Sequence, residues 1–210
     1  MPIHDDATKI RPYGDFCVWG IIAAFAFGWW KAGLINEGGA LELATVIALV
    51  LTFGLFILRL PSLAMGPEWH LPALTLLFVL RELDFDKRFM EVGVLKLRLY
   101  SGDAPLVLKF IGAMVIAIVL ICLYRVVRHN GRAFLVALRA REGWAITIAL
   151  GFVSGVVAKS VDGLGRKLAP FGVELSEAQG LFTIFVEEFL ELGFATALLI
   201  SLFLWIRGYA

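Results

Sequence analysis

Glu187, Glu188 and Glu191 stand within one and a half helical turns of each other, in a run (residues 178–206) that holds no other charged residue. A charge in the hydrocarbon of a bilayer costs at least about 2.5 kcal/mol on insertion scales. Three carboxylates there must face protein, water or a cation, or be protonated. A spacing of four places Glu187 and Glu191 on one helix face, with Thr183 and Gly180 continuing the stripe. Glu188 points about 100° away, toward a neighbouring helix or a second subunit. The chemistry open to such a face is cation binding or proton cycling.

Other residues are spaced to join it. Glu42 shares a face with Thr45. In the string RELDFDKRF (residues 81–89), Glu82 and Asp86 are four apart, below Thr75. Asp162 reaches Lys159 and Arg166 at three and four residues. Arg81, Lys87 and Arg88 have the charge and donors to grip a phosphate. Each feature also has a structural reading. Arg81–Asp84 and Asp84–Arg88 are helix-spaced ion pairs, and the glutamates could simply neutralise Lys159, Arg81 or Arg88.

Carboxylates and threonines without imidazole suit hard cations such as Mg²⁺, Mn²⁺ or Ca²⁺, a proton or Na⁺, rather than zinc. His4, His70 and His129 are predicted on the other side of the membrane from the acids. The sequence has no phosphate-binding loop, dinucleotide fingerprint or HExxH motif.

The elements that position these residues follow from hydropathy. The chain is 60% hydrophobic, with a mean hydropathy of +0.86 and its 18% of charged residues bunched between charge-free runs. A soluble protein with so many runs would expose large apolar patches. The runs exceed strand length and do not alternate, so they predict helices. The expectation is an all-α integral membrane protein, a single domain bundling about six transmembrane helices. The spans fall near residues 16–35, 40–63, 71–83, 105–127, 144–161 and 178–206. The third is short of the roughly 20 residues that a bilayer core requires. Alternating span direction then brings Glu42, Glu82, Asp86, Lys159, Asp162 and the Glu187–Glu191 turn into one half of the membrane.

Between spans, residues 89–100 alternate Leu95, Leu97 and Leu99 with Lys96, Arg98 and Tyr100, a pattern that fits either a short strand or an interfacial helix. Residues 131–142 set Phe134, Leu135 and Leu138 among Arg132, Arg139 and Arg141, as in an amphipathic helix lying on a membrane surface. Its arginines predict that this connection and both termini are cytoplasmic in a cell-membrane, multi-pass protein. Gly151 and Gly155 form a small-residue face suited to close helix approach. Cys17 and Cys122 lack metal-ligand spacing and read as inert thiols. A net charge of +1 with no basic tail argues against nucleic acid as a partner. The bilayer is the expected partner, with a homo-oligomer or larger membrane complex compatible with Glu188.

Three functions fit. The favoured one is proton- or cation-coupled transport or channel activity through the carboxylates. The second is an enzyme acting on a lipid-linked, phosphate-bearing substrate with a hard divalent metal. The third is a non-catalytic subunit or assembly factor.

Overall fold

The computed structural model describes residues 39–59, 66–90 and 93–209. The predicted first span at 16–35 with Cys17, the polar segment before it, and Glu37 lie outside these residues. Among the described residues the secondary structure is entirely helical. The helices are α1 (Ala40–Arg59), α2 (His70–Glu82), α3 (Phe85–Met90), α4 (Leu97–Ser101), α5 (Leu106–Arg139), α6 (Gly143–Val161), α7 (Leu164–Leu168) and α8 (Glu177–Tyr209). Four of them, α1, α5, α6 and α8, are long and apolar enough to cross a membrane. The helix expected at 71–83 forms as α2, but its 13 residues extend only about 20 Å.

The chain divides into two compact units, one running to Ala48 and resuming at Ala137, the other Leu49–Val136. In the first, α6 and α8 pack antiparallel. Ser201 Oγ donates to the Trp144 carbonyl at 2.9 Å near one end, and Lys159 meets Glu187 and Glu191 near the other. Small residues bring the backbones together, with Ala145, Ala158, Ala195 and Ala197 wholly buried. A Cβ added at Gly151 would lie 2.6 Å from Ala197 Cβ, and one at Gly155 would meet the Phe194 ring at 3.4 Å. The small-residue face is therefore a packing surface, as its spacing predicts. Leu41 of α1 packs with Leu192, and Ala44, Phe185 and Phe189 close around them.

In the second unit, α2 lies against the first half of α5 through a face that includes Pro72, Thr75 and Val79. The alternating segment resolves as the short helix α4. Leu99 is wholly buried while Leu95 and Leu97 remain 78% exposed. Tyr100 sits over Gly112, where its hydroxyl lies 2.7 Å from the position of an added Cβ. That hydroxyl donates to the Val94 carbonyl at 2.8 Å. A helix meets these contacts because only one of the three leucines has a partner, whereas a strand would align all three on one face.

The surface helix expected at 131–142 is helical but not separate. It continues α5 without a break, through a π-helical turn at Val126–Asn130, to make a run of 34 residues. The chain turns only after Arg139. Arg141 adopts a left-handed conformation (φ 59°), its N–H bonds the Leu138 carbonyl, and the Glu142 N–H bonds that of Ala137. This paired pattern ends a helix sharply, and Glu142 already precedes the first residue of α6.

Candidate functional site

Lys159 lies in the last turn of α6. Its Nζ is 2.5 Å from Glu191 Oε1 and 3.8 Å from Glu187 Oε1 on α8, and 3.4 Å from Asp162 Oδ2 at the end of its own helix. The i,i+4 spacing of the two glutamates turns both toward α6, and close packing at Gly151 and Gly155 sets the distance. Glu191 and Glu187 are mostly enclosed, at 13% and 20% side-chain exposure, against 41% for Lys159. Glu188 Oε2 is also shut off from solvent.

Asp162 has a second base, Arg166 Nη2, at 3.9 Å. Lys167 reaches back to donate to the carbonyls of Lys159 and Ser160, at 3.0 and 3.2 Å, and so satisfies the exposed end of α6. The cluster is therefore a carboxylate pair closed by a flexible cation that has an alternative acceptor within reach.

Counted along α8, Glu191 falls near the middle of the apolar run. Measured against α6 it stands beside the last turn. The reason is length: α8 has 33 residues against 19 in α6, and its N-terminal end overhangs. The overhang is about nine residues, or ~14 Å.

Glu42 lies in the first turn of α1. Its neighbours Leu41 and Ala44 pack with Phe185, Phe189 and Leu192, so Glu42 enters at the level of the three glutamates. Thr45, expected to line the same pocket, donates its hydroxyl to the Leu41 carbonyl at 3.1 Å, and Thr75 does the same to Leu71 at 3.0 Å. Both are buried, and bonding to their own helix is the available satisfaction. Thr183 likewise bonds Gly180 at 2.7 Å.

Glu82 and Asp86 belong to the other unit, and local partners hold them. Arg81 Nη1 lies 3.5 Å from Glu82 Oε1. Asp86 Oδ2 accepts from the Val94 N–H at 2.9 Å, fixing the loop ahead of α4. Asp84, in a left-handed conformation (φ 48°), pairs with Lys87 at 2.6 Å rather than with Arg81 or Arg88 as helix spacing suggests. The positive φ breaks the helix between Glu82 and Phe85, and with it the register those pairs require. The Asp84 hydrogen bond pushes the Lys87 ammonium above its ordinary range. Arg88 lies on α3.

A second polar cluster escaped sequence reasoning. His70, wholly buried, bonds Asn130 Oδ1 through Nε2 at 2.8 Å and accepts at Nδ1 from Arg125 Nε at 3.3 Å. Asn130 Nδ2 donates to Glu68 Oε2 at 2.9 Å, and Arg125 Nη2 to the Pro67 carbonyl at 2.6 Å. The signal available was RVVRHN at residues 125–130, a dense polar group closing an apolar run, with a histidine opening the helix before it.

Among the described residues, no three histidine, cysteine or carboxylate side chains converge to hold a metal ion. No family, curated protein or solved structure matches the chain.

Proposed function

We propose that the chain is a polytopic membrane protein of about six spans in which Glu191 and Glu187 bind a proton or a small cation in exchange for Lys159, and that this exchange drives transport. The observation that carries the reading is the Lys159 ammonium, 2.5 Å from one glutamate and 3.8 Å from the other, with Asp162 ready at 3.4 Å. Lysine is a compact charge on a flexible stem. A proton or a cation arriving at the glutamates releases it, and Asp162 receives it. Two carboxylates facing one lysine favour a proton or a monovalent ion over a resident divalent metal, which takes six or more oxygen ligands.

The position beside the last turn of α6 supports exchange with one aqueous side. A site ~3 Å from a helix end is within reach of water, whereas one at mid-span would need a channel. With both termini cytoplasmic, this end of α6 and the start of α8 face outward.

The test is reconstitution into liposomes that hold a pH-sensitive dye, with Na⁺, K⁺ or Mg²⁺ gradients imposed in turn. A cation-driven internal pH change, lost in Glu191→Gln, is the expected result. Proton movement no greater than in protein-free liposomes, with every cation, overturns the proposal.

A further inference from the structure

His70 is gripped from both sides by a single helix. Arg125 Nε–H donates to Nδ1, so Nδ1 carries no proton and the ring's hydrogen is on Nε2, where it meets Asn130 Oδ1. Asn130 can accept there because its amide nitrogen faces Glu68. Both ring nitrogens are thus engaged, and the arrangement fits one tautomer.

The two gripping residues are five apart. In an α-helix, residues five apart point about 140° away from each other, and no single ring could touch both. Here Arg125 and Asn130 bracket the π-helical turn Val126–Asn130. The i to i+5 pattern of a π-turn brings such residues back toward one face. The grip on His70 and the π-turn are therefore one feature. The turn places the two side chains, and the ring holds the turn.

We infer that His70 is a proton-operated latch on the π-turn of α5: protonation at Nδ1 expels Arg125, the turn relaxes to α-helix, and the segment beyond it rotates. The chemistry is a conflict of donors. A protonated imidazole has N–H groups on both sides, and the partner at Nδ1 is itself an N–H. Among the described residues, the charged and titratable groups about the ring are Arg125 and His129 from α5 and Glu68 from the turn before α2. Glu68 Oε2, 3.5 Å from Nε2, favours the charged ring. Arg125 opposes it, and the His129 ring, 6.1 Å away, opposes it when protonated. Arg125 also lies over the Trp69 ring at 5.5 Å, so its departure disturbs that indole.

Rewinding the π-turn as α-helix removes its one-residue bulge and rotates the helix beyond it by about 100°. At present Phe134 is half-buried, while Arg132, Leu135 and Val136 are exposed. Rotation exchanges these environments along residues 132–136.

The experiment is nitroxide labelling of single cysteines at positions 132 to 136 in the purified full chain, with Cys17 and Cys122 replaced by alanine. Label mobility is read at ~pH 8 and ~pH 5, the range over which imidazoles titrate. The expected result is restriction at 134 and freedom at 135 at the higher pH, and a profile displaced by one position at the lower. His70→Ala should show the displaced profile at both pH values. Arg125→Met, which removes the Nδ1 partner while keeping an unbranched stem, should do the same and serves if His70→Ala does not fold. An identical profile at both pH values in the parent protein overturns the inference, as does a pH-dependent displacement that persists in either variant.

Discussion

Lys159 Nζ and Glu191 Oε1, 2.5 Å apart, join α6 to α8 at the end where α6 stops and α8 runs on. The same ammonium has Glu187 and Asp162 within 4 Å, so losing one carboxylate leaves it partnered.

That redundancy separates a chemical role from a structural one. Glu191→Gln keeps size and hydrogen bonding and should leave the melting temperature nearly unchanged while abolishing cation-driven proton movement. Lys159→Met should destabilise by about 1–3 kcal/mol, below the cost of breaking a fully buried pair because the lysine is partly exposed. Adding Glu191→Gln to Lys159→Met should recover part of that loss. Thermal unfolding in detergent checks all three, and a large loss in Glu191→Gln alone would assign the glutamate a purely structural task.

The two glycines of α6 should respond unequally to the same change. At Gly151 an added Cβ falls 2.6 Å from Ala197 Cβ, with the α8 backbone close behind; at Gly155 it meets the Phe194 ring at an ordinary 3.4 Å. Gly151→Ala should cost about 1–3 kcal/mol as the helices are forced apart. Gly155→Ala should be neutral or stabilising by up to about 1 kcal/mol, since alanine favours the helix. Equal effects in unfolding experiments would contradict the α6–α8 packing described.

Lys87 gives a pH prediction with a definite sign. Its hydrogen bond to Asp84 holds the ammonium above its ordinary value of 10.5, against a smaller opposing effect of burial. The stabilisation is complete below that value and disappears as pH rises through the raised one. It is small, since both side chains are more than half exposed. NMR titration of the lysine side chain should show Lys87 moving down in Asp84→Asn, and no movement would mean that the pair does not persist in solution.

Orientation is checked separately. Cysteines introduced at Arg132 and near the C-terminus should both resist a membrane-impermeant thiol reagent applied to intact cells, and reaction at either reverses the proposed topology.

Much of the α6–α8 unit was legible in the sequence. Long, mostly apolar runs placed both helices to within a residue or two of their starts, since a bilayer-length helix needs roughly 20 such residues even when it carries a lysine or a few glutamates. The i,i+4 rule put Glu187 and Glu191 together, and i,i+3 put Asp162 on Lys159. Sequence gives the face of a helix but not its axial offset against a neighbour, so it offered Lys159, Arg81 and Arg88 alike as partners for the glutamates, and the structure brings Lys159 to them. The π-turn was hidden. Residues 125–130 show as a polar end to an apolar run, but nothing in their spacing marks a π-turn, and the partner that holds it, His70, is distant in sequence. The leucine alternation at residues 95–99 left strand and helix both open because burial there depends on Gly112, which admits Tyr100 over α5.

The place of Lys159 in the last turn of α6 bears on how the protein is made. The chain is synthesised from its N-terminus, so the lysine leaves the ribosome about 28 residues before Glu187, an interval on the order of seconds at ordinary elongation rates. During that time neither glutamate exists to neutralise it. A lysine at the centre of a newborn span would resist partition into lipid by about 2.5–3.5 kcal/mol. On the proposed membrane reading, a lysine at the end of the span would extend its stem to the headgroups, so that α6 could enter the bilayer before its partner is translated.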